Sequence, residues 1–465
     1  MKEYDIAILG GGPGGYVAAI RAGQLGFRTA VIDKDNLGGI CLNWGCIPTK
    51  SLLKNAEYVE KIKEFKDFGI NIEKYSLDFD RVIKRSREIS DRMTKNVEIL
   101  IKKNKVDRYR GFGKLKSKTE IEVYDNSNKV VETIKASKII IATGARPREV
   151  PTFKIDRKTI ITSKEALILD EVPKEFVIIG AGAIGVEFAY FYNAMGSKVT
   201  LIEMLDRILP IEDKEISFGL EKSLKKKGID IYTSAKVTGI TGKNNGAVVK
   251  VETKDGPKEF AADKVLTAIG VTGNIEGFGL EELGVQIEKN HIKVNKETYQ
   301  TNIETIYAIG DVIGPPWLAH VASAEGIYCV EKLKGLDPHP IDYDAIPGCV
   351  YSQPQTASIG LTEDKAKEKG FEVKIGKFPF MGSGKAFAIG ERDGFVKLVF
   401  DAKYGGLLGA HIIGAEATEM IAEMGIAITH EATYESILKT VHSHPTLSES
   451  IMEAAANANG EAIHI

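Results

Sequence analysis

A multidomain α/β fold is what the sequence predicts, and three observations predict it. At 465 residues the chain is too long for one hydrophobic core, and about three domains are expected. Residues 6–33, IAILGGGPGGYVAAIRAGQLGFRTAVID, return 170 positions later as residues 176–203, FVIIGAGAIGVEFAYFYNAMGSKVTLIE. Each copy reads as an apolar strand, a glycine loop, a helix and a second strand that ends in an acid.

The repeat aligns Gly10, Gly12 and Gly15 with Gly180, Gly182 and Gly185, Gly26 with Gly196, and Asp33 with Glu203. In such a loop the first glycine makes the tight turn, the second admits a pyrophosphate to the backbone, and the third lets helix and strand pack closely. The phosphate then meets a helix N-terminus, where free N–H groups and the dipole favour negative charge. The acid accepts hydrogen bonds from ribose hydroxyls. A lone glycine loop is weak evidence, but here two copies carry the whole strand, helix and acid context. Two Rossmann-like dinucleotide-binding domains are therefore expected. At the second site Glu203 would repel a 2′-phosphate, and Met204 and Leu205 follow it in place of an arginine. That site favours NAD over NADP.

Further along, residues 301–311 read as an apolar strand ending in Gly310-Asp311, and Trp317-Leu318-Ala319-His320 leads into a helix. An acid at a strand end can bind a sugar-like chain or close a turn, and spacing alone leaves both open. Residues 138–145 and 265–270 are similar strands ending in Gly144 and Gly270.

The composition excludes several classes. Apolar residues make up 43% and charged residues 27%, and a formal charge of −2 gives no footprint for nucleic acid or an anionic membrane. The most apolar stretch, around Phe176–Phe191, is interrupted by Glu187, so no membrane span is expected. A strand begins almost at Met1, which leads us to expect no leader peptide and a cytoplasmic protein. Four cysteines do not make a secreted disulfide framework. Cys329 and Cys349 read as buried, inert thiols.

Cys41 and Cys46 differ, because they stand just behind the first nucleotide loop in GGICLNWGCIPTK. On a regular helix their Cα atoms would be about 8–9 Å apart, beyond the ~7 Å reach of a disulfide. A distorted helix start is therefore expected, with Pro48 tolerated there. A redox-active disulfide is favoured over a static one in a reducing compartment, and no second ligand pair at zinc spacing is present. Near the C-terminus, His442-Ser443-His444 precedes Glu449. Such a histidine can serve as base, oriented by a carboxylate, but spacing leaves a metal pair or solvent-facing rings open. Glu187 breaks an apolar helix pattern and needs a partner, for which Lys50 is a candidate. Asp80–Lys105 reads as an amphipathic packing helix whose apolar stripe is Val82, Ile89, Met93, Val97 and Leu100.

Taken together and in order, GGxCLNxGCIPxK, ATGA, GAGxIGVE, YAIGD, LAH and HPTLSE resemble the flavoprotein disulfide reductases over essentially the whole chain. The resemblance implies FAD and NAD as cofactors and adds a C-terminal α+β dimerisation domain to the two Rossmann-like domains. Its boundaries would be 1–147 for FAD binding, 148–275 for NAD binding, 276–345 completing the FAD site and 346–465 for the interface. Gly10, Gly12, Gly15, Asp33, Lys50, Gly113, Thr143, Gly144 and Asp311, with Leu318, Ala319 and His320, would hold FAD. Gly180, Gly182, Gly185, Glu203, Val237 and Gly270 would hold NAD, and Glu187 would pair with Lys50 beside the flavin. Cys46 would face the flavin and Cys41 would exchange with substrate. His444 and Glu449 would serve the cysteines of the other subunit in a homodimer. Leu447 and the acid at 203 favour the branch that oxidises lipoyl-borne dithiols on separate carrier proteins. A reductase of another disulfide or an NADH oxidase is the alternative. A flavin-bound protein without turnover would need neither the cysteines nor the histidine. Trp44, Gly273 and Gln355 depart from the usual pattern, where a small aliphatic residue, a proline and a glutamate are common.

Overall fold

The computed structural model describes residues 1–243 and 246–465. They form two compact units, neither continuous in sequence. The first comprises Met1–Ser51, Asp80–Glu149 and Gly270–Ile341; the second comprises Leu52–Phe79, Val150–Ile269 and Asp342–Ile465.

The first unit opens with the expected module: β1 (Lys2–Leu9), α1 (Pro13–Gln24) and β2 (Thr29–Asp33). Two helices follow with one residue between them, α2 (Gly39–Trp44) and α3 (Cys46–Glu64), and then the long α4 (Phe79–Lys103). β3 (Asp107–Arg110), β4 (Phe112–Leu115), β5 (Glu120–Tyr124) and β6 (Val130–Ile141) complete a sheet of order β3-β2-β1-β6-β5-β4. The β3-β2-β1-β6 part is parallel, and the strand Ile306–Ala308 joins β6 in parallel. Ile6 to Leu9, Ala30 to Ile32 and Ile139 to Ile141 are all buried, as expected where helices cover both faces of a parallel sheet. α1 crosses the helix Ala319–Leu333 at glycines: a Cβ on Gly326 would lie 2.7 Å from the Gly14 oxygen.

The second unit repeats the module as β7 (Glu175–Ile179), α5 (Ala183–Met195) and β8 (Lys198–Ile202). These sit in a five-stranded parallel sheet with Asp230–Tyr232, Lys264–Thr267 and Ile160–Ile161. Its C-terminal part is a five-stranded antiparallel sheet. Phe378, Val396, Leu398 and Ile412 of that sheet pack with Met420 and Ile421 of the helix Ala417–Thr429 and with Ile451 and Ala454 of the helix Glu449–Ala458. The architecture is thus two Rossmann-like modules plus a C-terminal α+β layer.

Leu52–Phe79 groups with the second unit for an identifiable reason. Glu60 of α3 accepts a hydrogen bond from the Tyr190 hydroxyl and pairs with Lys227, both at 2.8 Å. The stripe expected on α4 is corrected in part. Its buried residues are Val82, Ser86, Ser90, Thr94, Val97 and Ile101, whereas Leu100 is 41% exposed. Small hydroxyl residues let α4 pack closely, which a count of apolar positions overlooks.

Candidate active site

The two glycine loops are built alike. Gly10 and Gly180 have positive φ (+103° and +99°), and a Cβ on them would lie 2.2 and 2.3 Å from the Ala142 and Ala268 oxygens. A Cβ on Gly15 or Gly185 would come 1.9 Å from the oxygen of its loop's first glycine. Gly12 and Gly182 begin α1 and α5 with φ of −69° and −72° and no side-chain cap, which leaves first-turn N–H groups to a ligand.

The acids do more than spacing shows. Asp33 Oδ2 accepts from the Gly11 N–H at 2.5 Å and Oδ1 from the Asp35 N–H at 2.8 Å. Glu203 Oε2 accepts from the Ala181 N–H at 2.7 Å and Oε1 from the Leu205 N–H at 2.9 Å. These are equivalent positions of the repeat, so each acid pins its own loop. Burial leaves the Asp33 carboxyl above its ordinary value despite both N–H donors.

Around the first loop, the Thr143 hydroxyl donates to the Asn274 carbonyl at 2.8 Å and the Asn274 amide donates to the Thr143 carbonyl at 2.9 Å. Gly144 has φ +70° and open space where a side chain would go. Gly113 is different, because Leu9 and Ile32 fill the space at its Cβ, so only its backbone is available. Gly273 is explained by the Asn290 carbonyl, 2.6 Å from where its Cβ would be. Asp311 follows the strand end in a short 3-10 turn, and burial first, then Glu325, pushes its carboxyl up to about 6. Glu325, which the motifs do not mark, is buried on the helix Ala319–Leu333 and accepts from the Gly310 N–H at 2.6 Å. Leu318 caps that helix and His320 is exposed in its first turn.

The cysteines lie on either side of a helix break. Cys41 is in α2, Gly45 (φ −152°, ψ −112°) ends α2, and Cys46 is the first residue of α3, with Pro48 in its first turn. The expected distortion is therefore a break rather than a bent turn. Both side chains are thiols here. The Cys41 thiol is pushed up by its hydrogen bond to Cys46, then by burial and the Cys46 charge, while the Lys50 ammonium opposes the shift. Cys329 is fully buried and its thiol is pushed up by burial. Cys349 is half-buried rather than buried.

The C-terminal histidines have separate partners. His444 Nδ1 lies 2.9 Å from Glu449 Oε1, and the Thr446 N–H donates to Glu449 Oε2 at 2.8 Å. Burial raises the Glu449 carboxyl, but the Thr446 N–H and the His444 ring hold it below its ordinary value. The His444 side chain is 79% exposed. His442 engages the Thr440 carbonyl and Glu423 at 2.9 and 2.8 Å, so both its ring nitrogens are occupied within the protein.

Of the remaining expected residues, Val237 is half-buried against the core beside the second module, and Gly270 (φ +97°) has open space at its Cβ. Glu187 is buried and accepts from the Tyr351 N–H at 3.1 Å. Gln355 accepts from the Thr418 N–H and hydroxyl at 3.1 and 2.8 Å, so its neutral amide caps the helix that begins at Ala417.

Two nucleotide loops, a thiol pair and a His–Glu dyad on one chain define a nucleotide-dependent thiol–disulfide oxidoreductase. Residues 4–326 match the pyridine nucleotide-disulphide oxidoreductase family and residues 346–455 match its dimerisation domain. The chain belongs to that family. Similar proteins include the dihydrolipoyl dehydrogenases of Rhizobium etli and Bacillus subtilis, each 48% identical, with 99% or more of this chain and 99% of each relative covered. The mitochondrial dihydrolipoyl dehydrogenase of Pisum sativum is 42% identical over 100% of this chain and 93% of its own. Among solved structures, LpdA from Mycobacterium tuberculosis has a TM-score of 0.90 at 26% identity, covering 98% of this chain and 99% of that one. RclA, a flavoprotein disulfide reductase from Escherichia coli, has a TM-score of 0.87 at 26% identity and the same coverage. Among the described residues, no helix is long and apolar enough to cross a membrane.

Proposed function

We propose that this chain oxidises dihydrolipoamide to lipoamide at the Cys41/Cys46 disulfide and uses NAD+ as the final acceptor, with FAD between them. The observation that carries the reading is the thiol pair held across the α2–α3 break directly behind the first nucleotide loop. The donor set fits FAD. The uncapped start of α1 suits the pyrophosphate, and Asp33 suits the ribose. Burial and Glu325 raise the Asp311 carboxyl with no opposing hydrogen bond among the described residues, and a hydroxyl-bearing chain would supply one. Lys50, Gly113, Thr143, Gly144, Leu318, Ala319 and His320 are assigned to the same cofactor. The uncapped start of α5, Glu203, Val237 and Gly270 are assigned to NAD, and Glu187 with Lys50 to the flavin side.

In the proposed sequence His444 takes a proton from one thiol of dihydrolipoamide, and Glu449 holds the ring and stabilises its charge. The thiolate attacks Cys41 Sγ, and Cys46 leaves as a thiolate at the positive end of the α3 dipole. The second substrate thiol attacks the first substrate sulfur and passes its proton to the departing Cys41 sulfur, which releases Cys41 as a thiol and forms lipoamide. Two electrons now reside on the cysteines, with Cys41 as the thiol and Cys46 as the thiolate, and His444 returns the proton it took to solvent. FAD, when bound, relays that electron pair to NAD+. His444 and Glu449 are proposed to act on the cysteine pair of the second subunit, which the matched dimerisation domain supports. The substrate is proposed to arrive on lipoyl-bearing carrier proteins in the cytoplasm, with FAD binding assigned to residues 1–147 and 276–345, NAD binding to 148–275 and the subunit interface to 346–465.

Anaerobic titration of the flavin-loaded protein with dihydrolipoamide tests the reading. A long-wavelength thiolate–flavin band that discharges as added NAD+ becomes NADH is the expected result. Bleaching without that band, or no response, would overturn it.

A further inference from the structure

α4 grips both helices that carry the cysteines. From α4, the Arg87 guanidinium donates to the Asn43 carbonyl at 2.6 Å, at the C-terminal end of α2. Its carbon lies 4.3 Å from the centroid of the Trp44 ring. Thr94, seven residues and two turns further on the same face, donates to Asn43 Oδ1 at 3.0 Å. The Asn43 amide in turn donates to the Leu37 and Gly39 carbonyls at 3.1 and 2.9 Å. Arg85 donates to the Ser51 hydroxyl of α3 at 2.8 Å. A six-residue helix such as α2 does not hold itself, and its last carbonyls need donors from outside. Arg87 supplies one, and it does so at the residue immediately before the Trp44-Gly45 break that leads to Cys46. The guanidinium is half-buried, and burial depresses its pKa, so little water competes with the stack.

We infer that Arg87 is a positioning residue for the Cys41/Cys46 couple: by stacking on Trp44 and holding the Asn43 carbonyl, it fixes the turn that keeps the two thiols within bonding reach and so biases the couple towards disulfide. The inference rests on the proposed redox role of the pair. Closing the disulfide removes two protons and two electrons from the thiols and forms one S–S bond. The closure is favoured when each sulfur already faces the other, because the ordering of a five-residue separation is done beforehand. Without the clamp the turn samples other geometries and the dithiol gains. The stack needs an aromatic ring at position 44, since a small aliphatic residue there would offer no face to the guanidinium.

The test equilibrates flavin-loaded protein anaerobically with mixtures of reduced and oxidised dithiothreitol, followed by acid quench and alkylation to count thiols at positions 41 and 46. The oxidant is then the cyclic dithiothreitol disulfide, which is reduced as the protein couple is oxidised. Arg87→Met is expected to lower the protein disulfide-to-dithiol ratio about tenfold at a fixed buffer, or about 30 mV. Arg87→Lys, which keeps the charge but not the flat stack, is expected to lower it about threefold. A merely structural role would lower the melting temperature and leave this ratio unchanged. If Arg87→Met gives no folded protein, Arg87→Lys alone decides. Ratios equal to that of the unsubstituted protein, or shifted towards disulfide, overturn the inference. Dithiothreitol reads the couple whether or not dihydrolipoamide reduces it, so failure of the proposed substrate and failure of this inference remain distinguishable.

Discussion

His444 and Glu449 are five residues apart, and the loop between them turns back so that one Glu449 oxygen holds the ring while the other holds the Thr446 N–H. The carboxylate therefore does not depend on the ring for its position. His444→Gln is expected to lower kcat for dihydrolipoamide oxidation by ~10²–10⁴, the usual worth of a general base, with flavin content unchanged. Stopped-flow reduction by substrate at several pH values checks this. Asp311 makes a different prediction. Its carboxyl is raised from 3.8 to about 6 in the fold, so flavin-free protein gains stability below pH 4 and loses it as pH rises through 6. At neutral pH the buried charge costs the flavin-free fold ~3 kcal/mol relative to acid. Thermal unfolding of flavin-free Asp311→Asn, compared with the unsubstituted chain from pH 4 to 8, is expected to show the two diverging across that window. The cysteine pair can be read from one short segment, whereas spacing alone leaves His444 and Asp311 open between site residues and a solvent-facing ring or a turn, and only the ordered family motifs mark them. Glu325, Asn274 and Arg87 were not legible, because each gains its role from a partner that only the fold brings near.

The glycine loops are the elements that the sequence described best, since their spacing states a backbone requirement. Even so, the three glycines of a loop are not equivalent. Gly185→Ala would drive a Cβ to 1.9 Å from the Gly180 oxygen, whereas Gly182→Ala meets nothing within 4 Å. Gly182→Ala is expected to keep the melting temperature within about 2 °C while weakening NAD binding about tenfold or more, because the added methyl occupies the pyrophosphate approach. Gly185→Ala is expected to lower both. Calorimetric titration with NAD beside thermal unfolding separates the two. α4 shows the opposite limit of sequence reading. Its helix was evident from periodicity, but Ser86, Ser90 and Thr94 on the buried face carry no apolar signal.

At the scale of the whole molecule, the second unit contains a charge cluster that no motif announces. Lys397 is 2% exposed on the C-terminal sheet and pairs with Asp213, Glu215 and Glu363 at 3.0, 2.8 and 2.9 Å. Asp213 caps the helix Lys214–Lys226, so the cluster ties that helix to the C-terminal sheet. Lys397→Met leaves a buried carboxylate without its cation and is expected to cost ~3–5 kcal/mol, measured by denaturant unfolding. Lys367 and Lys397 hold the Glu363 carboxyl down at about 2. Its contribution is therefore complete above the ordinary carboxylate range and lost as pH falls towards 2. Glu363→Gln should remove that part of the acid dependence.

The pinning of each loop by its own acid bears on cofactor engineering. A designer seeking to switch this chain to a 2′-phosphorylated nucleotide would naturally exchange Glu203 for a neutral or basic residue. That exchange also deprives the Ala181 and Leu205 N–H groups of their acceptor, so the redesigned loop would loosen before it met its new ligand. A workable switch needs two changes in concert: a cation to receive the phosphate, and a second acceptor that inherits the backbone hydrogen bonds.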